Sequence, residues 1–190
     1  MSSQPKSYLT TEEYLASERQ SETKHEYFNG EVFAMVGASR KHNLIAGNIF
    51  GELRQQLKGK PCEAYTNDMR VKIPTTGLYT YPDVIVVCGE PKFEDEYIDT
   101  LLNPTLIVEV LSESTESYDR GKKAGFYRSV ESIAEYLLVS QDEYRVEQYV
   151  KQADGKWLLT DIRSPESIVE LASLQCALPM KEIYSRVSFS

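Results

Sequence analysis

TLIVEVLSESTESYDRGKKAGFY, residues 105–127, sets one glutamate inside an apolar run and delivers two lysines beyond a serine-rich turn. Leu106-Ile107-Val108 and Val110-Leu111 flank Glu109 with residues that favour strands. An ionised carboxylate among apolar neighbours is costly unless it is paired or bound to a cation. Strand alternation puts Glu109 on one face with Ile107 and Leu111, and Val108 and Val110 on the other. From Ser117 to Val130 the pattern turns helical. Asp119, Lys123 and Tyr127 stand four apart and share one helical stripe, whereas Lys122 is rotated away by about 100°. If that stripe faces the sheet edge, the Lys123 ammonium reaches the site there and can orient a water or stabilise developing negative charge. The competing account is a surface Asp119–Lys123 pair worth about 0.3 to 0.5 kcal/mol, with Tyr127 packed beneath it.

A second acid stands in YPDVIVVCG, where Asp83 opens the run Val84-Ile85-Val86-Val87. If its strand neighbours that of Glu109, the two carboxylates converge at one edge of a sheet. Two hard oxygen donors, with the Val110 carbonyl as a third, suit Mg²⁺ or Mn²⁺ and leave positions for water and phosphate oxygens. Such an ion polarises a phosphodiester and acidifies a water. Taken singly, Asp83 also suits a turn cap after Pro82, and Glu109 suits an edge strand paired with a surface Arg or Lys.

Working outward, Thr10 followed by Glu13 is a capping box for a helix over 11–18. HEYFNGEVFAM, with Asn29-Gly30 at its centre, predicts a type I′ hairpin. Ser39 caps a longer helix whose stripe is Leu44, Ile45, Ile49, Leu53 and Leu57, with Gly59 to stop it. Strands are expected over 64–73, 83–88 and 105–111, broken by Pro74 and Gly77 and then by an acidic, irregular stretch, 89–103. AEYLLVS and YRVEQYVK read as two strands joined at Gln141-Asp142-Glu143, WLLTDI as another after Asp154-Gly155, and 179–187 as a closing helix. The class is α/β or α+β, a mixed central sheet flanked by helices, in one domain spanning 1–190.

With 41% hydrophobic and 26% charged residues in short, interrupted runs, the chain reads as soluble and globular. Nothing approaches the roughly 20 apolar residues of a membrane span, and the first residues lack the apolar core of an export signal, so a cytoplasmic protein is expected. Cys62, Cys88 and Cys176 form no CxxC pair, and the histidines are His25 and His42. Neither a zinc cage nor a disulfide framework is expected, and Cys88 reads as a core thiol. The net charge of −8 does not draw a polyanion at long range, so any nucleic-acid contact falls to local clusters such as Arg40-Lys41, Lys58 with Lys60, and Arg120, Lys122, Lys123 and Arg128.

Asp83 after Pro82 and Glu109 one strand later resemble the PD-(D/E)XK nuclease core. The ordered set EYFNGEVFAM, SRKHNLI, YPDVIVV, LIVEVLSEST, YDRGKKAGFY and IAEYLLV is similar to the Uma2 family, also called DUF820, over nearly the whole chain. The resemblance implies a restriction-endonuclease-like fold, Mg²⁺ or Mn²⁺ as cofactor, and a DNA endonuclease with Asp83, Glu109 and the Val110 carbonyl as metal donors. It departs from the superfamily at Leu111, which stands where the third-motif lysine belongs; the family implies that the lysine has migrated to Lys123. Glu26 is the first-motif acid by the same resemblance, with Glu31 across the turn as the competing choice. His42, in the first turn of its helix, is able to accept a proton or contact phosphate, and equally to serve as a capping residue. Ser112 and Thr115 suit caps of the helix carrying Lys123. A homodimer is the default for such a fold. The rivals are a non-catalytic nucleic-acid-binding or regulatory protein, a hydrolase of another phosphoester, and a protein-interaction module built on Glu94-Asp95-Glu96.

Overall fold

The computed structural model describes residues 8–35, 37–112 and 116–189. Helix α1, Thr11–Glu18, starts at the expected capping box, with Thr10 and Glu13 bonded reciprocally. Strands β1, His25–Phe28, and β2, Glu31–Ala34, form the expected hairpin, with Phe28 opposite Glu31. Asn29 and Gly30 lie at φ 51° and 83°, the two left-handed positions a type I′ turn requires. Helix α2, Arg40–Gln56, begins at Ser39, whose hydroxyl accepts the His42 amide at 3.1 Å.

After α2 the chain runs through β3 (Cys62–Thr66), β4 (Arg70–Ile73), β5 (Leu78–Thr80), β6 (Val84–Cys88), β7 (Thr100–Leu101) and β8 (Leu106–Leu111). Next come α3, Glu116–Tyr118, a π-helical turn, Asp119–Lys123, and α4, Ala124–Arg128. Strands β9 (Glu135–Ser140), β10 (Val146–Lys151), β11 (Trp157–Ile162), β12 (Ile168–Leu171) and β13 (Cys176–Pro179) precede the short α5, Met180–Ile183. A six-stranded sheet has the order β11-β10-β9-β8-β6-β3, parallel only between β8 and β9. A five-stranded sheet has the order β2-β1-β5-β4-β7, and β12 and β13 make a separate hairpin.

β8 is central, between β6 and β9, and buried throughout, so Glu109 does not sit on an edge strand. On one face Val108 and Val110 join Ile45, Ile49 and Leu53 of α2 in the larger core cluster; on the other Ile107 and Leu111 pack with Val71, Ile73, Ala124 and Tyr127. The alternation expected from the sequence holds. Each such fully buried aliphatic side chain contributes about 1.5 to 3 kcal/mol, so α2 and the segment from α3 to α4 are clamped to opposite faces of one strand.

Several expectations are corrected. The strand expected over 64–73 is two strands in two different sheets, because the chain turns at Asn67-Asp68, where Met69 N–H bonds Thr66 O at 3.1 Å. The strand-favouring residues on both sides mask these two turn formers. β5 and β7, of three and two residues, are too short for a period to repeat, and the β12–β13 hairpin was not expected. The closing helix covers four residues instead of nine, and Arg186 at φ 64° leaves the helical region. Cys62 and Cys88 form a disulfide, because β3 and β6 pair antiparallel with these two residues in register; 26 residues separate them in sequence. Cys176 is free and buried. Among the described residues no helix is long and apolar enough to cross a membrane.

The acidic stretch is also tied down. Thr100–Leu101 pairs parallel with β4, and Asp99 receives Arg19 Nε at 2.8 Å and Arg70 at 2.9 Å. Burial alone raises the Asp99 carboxyl, but Arg19 and Arg70 outweigh it and hold it at about 2, below 3.8. A depressed carboxyl contributes stability that is complete above the unfolded value and is lost as pH falls through the folded one. Asp99→Asn is therefore expected to lose about 1 to 2 kcal/mol at neutral pH, the low end because Asp99 is one-third exposed. Urea midpoints measured from pH 7 down to 2 check this: the wild-type advantage narrows between about pH 4 and 2.

Candidate active site

The chain passes from one sheet to the other at β5 and β6, and the expected acids gather there. Tyr27 pairs with Tyr79, so the antiparallel register sets Glu26 opposite Thr80, whose hydroxyl donates to Glu26 Oε1. Three residues on, Asp83 precedes β6; Val84 pairs with Val108, so the same register places Asp83 opposite Glu109. Asp83 Oδ2 accepts the Val110 amide at 2.7 Å, which fixes the carboxylate against β8.

Lys123 reaches this junction from the helical side. Its Nζ lies 2.9 Å from Glu26 Oε1, 2.9 Å from Glu109 Oε1 and 3.6 Å from Asp119 Oδ1. The wider π turn keeps Asp119 and Lys123 on one side, and such turns occur frequently at functional sites. Tyr127, one further step along the stripe, donates to Glu109 Oε1 at 2.6 Å. Lys122 is exposed. Lys123 and Glu109 are each 5% exposed. Burial disfavours the Lys123 ammonium, but Glu109, Tyr127, Glu26 and Asp119 outweigh it and hold the amine well above its ordinary value. Burial pushes the Glu109 carboxyl up to about 8 against the pull of Lys123, with Asp119 and Asp83 adding to the rise.

His42 enters from the opposite face. Its Nε2 lies 3.3 Å from Asp83 Oδ2. The Val110 backbone nearby also favours the protonated imidazole. Burial lowers the imidazole, yet Asp83 and Val110 prevail and raise it. The sequence left His42 between a site residue and a cap; it belongs to the Asp83 cluster. Thr80 was missed because β5 was missed. Glu31 stands across the turn, opposite Phe28, and His25 is held by Glu18 at 2.9 Å outside the cluster. Thr115, expected as a cap, lies outside the described residues.

Four carboxylates, Glu26, Asp83, Glu109 and Asp119, thus face Lys123 and His42, which leaves negative charge in excess. Val110 and His42 both address Oδ2 of Asp83, and Tyr127 and Lys123 both address Oε1 of Glu109; Oδ1 and Oε2 stand outside these contacts. Hard oxygens with surplus negative charge suit a divalent cation of the Mg²⁺ or Mn²⁺ type. Among the described residues no three His, Cys, Asp or Glu side chains stand together as a ready-made metal site.

Comparison with known proteins gives the cluster a context. Two proteins of Synechocystis sp. resemble the chain along most of its length. The "Uncharacterized protein sll1609" is 40% identical over 167 residues, covering 88% of this chain and 94% of that protein. The "Uncharacterized protein slr1290" is 36% identical over 181 residues, covering 95% and 94%. A crystal structure from Anabaena variabilis ATCC 29413, described as a "putative nuclease belonging to DUF820", superposes with a TM-score of 0.74. It covers 95% of this chain and 99% of that one at 18% identity, so the mixed α+β fold is shared. The model of the Uma2 family, described as "Putative restriction endonuclease", matches residues 11–181, and the chain belongs to that family.

Proposed function

We propose that the protein is a metal-dependent DNA endonuclease that hydrolyses phosphodiester bonds. The observation that carries this reading is the delivery of Lys123, from a helix, into a buried cluster where Glu26 and Glu109 both meet it and Asp83 lies opposite Glu109 in register. The third-motif lysine absent at Leu111 thus has a counterpart in space. The family's description as a restriction endonuclease supports nuclease chemistry and a nucleic-acid substrate.

In this reading Asp83, Glu109 and the Val110 carbonyl would hold Mg²⁺ or Mn²⁺, which would supply Lewis acidity at a phosphate oxygen and a water acidified to react near neutral pH. Lys123 places its charge beside the phosphate as negative charge develops there. Glu26 orients the attacking water from the five-stranded sheet, and Tyr127 holds Glu109 in its rotamer. The net charge of −8 leaves phosphate contacts to local cations, of which Arg40, Lys122 and Arg128 are exposed. The reading extends to a cytoplasmic homodimer, the symmetric form that addresses both strands of a duplex.

The test is incubation of supercoiled plasmid with purified protein and Mg²⁺ or Mn²⁺. Nicked and linear products are expected, and their loss with EDTA. Unlabelled oligonucleotide is expected to compete while a small aryl phosphate does not. DNA binding without cleavage under either ion would replace this reading with a non-catalytic binding protein.

A further inference from the structure

The donors assigned so far are all oxygens, yet a nitrogen stands among them. We propose that His42 is itself a ligand of the divalent ion, through Nε2, so that the centre is a mixed nitrogen and oxygen site preferring Mn²⁺ to Mg²⁺. This rests on the reading above that an ion sits at Asp83.

Three observations carry it. His42 Nε2 lies 3.3 Å from Asp83 Oδ2. An ion held by the Asp83 carboxylate, at donor distances of about 2.1 Å, would therefore lie within reach of Nε2 after a small adjustment of the ring. The same Asp83 oxygen accepts the Val110 amide at 2.7 Å, so the ring stands beside the residue whose carbonyl belongs to the same donor set. The ring is held in place: the side chain is 14% exposed, the His42 amide bonds the Ser39 cap, and Ile45 and Ile49 fasten α2 to β6 and β8. α2 therefore presents the nitrogen from one face while Lys123 is presented from the other. A ligand so placed loses little freedom when an ion enters.

The chemistry sets the preference. Mn²⁺ shares the taste of Mg²⁺ for oxygen donors but, as a first-row transition ion, accepts an imidazole nitrogen more readily, whereas Mg²⁺ keeps to oxygen ligands and dehydrates reluctantly. A merely structural His42–Asp83 contact predicts the reverse outcome, because removing the ring would free Asp83 and leave ion affinity unchanged or tighter.

The full chain, its His42→Ala and His42→Gln variants and Asp83→Ala are titrated with Mn²⁺ and with Mg²⁺ by calorimetry. In parallel, pulsed paramagnetic resonance of bound Mn²⁺ seeks coupling to a nitrogen nucleus. The wild type is expected to bind Mn²⁺ at least about tenfold more tightly than Mg²⁺ and to show that coupling. His42→Ala and His42→Gln are expected to lose about 10- to 100-fold in Mn²⁺ affinity, a smaller factor for Mg²⁺, and the nitrogen signal. Equal or tighter Mn²⁺ binding by both His42 variants, or no nitrogen coupling in the wild type, overturns the proposal. Abolition of binding by Asp83→Ala in that case preserves the ion at Asp83 and removes only its nitrogen ligand. Failure of the wild type to bind Mn²⁺ defeats both. The wild-type resonance measurement needs no variant to fold.

Discussion

Lys123→Ala is expected to lower the melting temperature of the metal-free protein by about 6 to 20 °C. Lys123 is 5% exposed and is the ammonium that Glu26, Glu109 and Asp119 share within 3.6 Å. Removing it leaves three carboxylates in a buried space, and breaking a buried ion pair at one end costs about 3 to 5 kcal/mol. In a domain of this size each kcal/mol corresponds to about 2 to 4 °C. The loss is electrostatic at root, so it should be repaired electrostatically. Glu109→Gln added to Lys123→Ala is expected to recover part of it, as a positive coupling in a double-mutant cycle. Mn²⁺ is expected to raise the melting temperature of Lys123→Ala more than that of the wild type, since an ion binding only the folded state stabilises it and here replaces the missing charge. Scanning calorimetry with and without Mn²⁺ reads all three. A Lys123→Ala protein melting within about 2 °C of the wild type would place the ammonium in solvent and dissolve the cluster.

The same residue shows how much of the site the sequence carries. Asp119, Lys123 and Tyr127 are legible because four-residue spacing survives the π turn, and Lys122 is excluded by that spacing alone. Glu109 is legible because a carboxylate inside LIVEVL has no bland place to go; its strand proves central, which makes the demand for a partner stronger. The pairing of Asp83 with Glu109 required only that two β-branched strands be neighbours. The second sheet was not legible. Its strands β5 and β7 have three and two residues, too few for a period to repeat, and each is held by a strand remote in sequence, β5 by β1 and β7 by β4. Thr80 vanished with β5. The disulfide was hidden for a similar reason: Cys62 and Cys88 meet through strand register, which no spacing pattern encodes. His42 was ambiguous because one helical turn serves capping and chemistry alike, and only the tertiary packing of α2 on β6 and β8 aims its ring at Asp83.

Asp83→Ala and Glu109→Gln are each expected to reduce metal-dependent plasmid cleavage by at least about 10²- to 10³-fold, the range for loss of one preorganised electrostatic group. The double variant should be little worse than either single one, because donors that act as a unit are not additive. Their effects on stability should part company. Asp83 accepts the Val110 amide and faces His42, so alanine leaves a buried donor without its acceptor and costs about 1 to 3 kcal/mol. Glu109 is different. Its glutamine analogue retains an oxygen to accept from Tyr127 and removes a charge that burial already disfavours, while Lys123 keeps Glu26 and Asp119. Glu109→Gln is accordingly expected to be at least as stable as the wild type in EDTA while inactive with Mg²⁺. A carboxylate retained in a buried central strand at a cost to stability, and needed for cleavage, is what a functional site requires. Cleavage rates and urea midpoints measured on the same preparations decide it: an active Glu109→Gln, or one destabilised as far as Asp83→Ala, would show that Glu109 serves the fold and that the hydrolytic centre lies elsewhere.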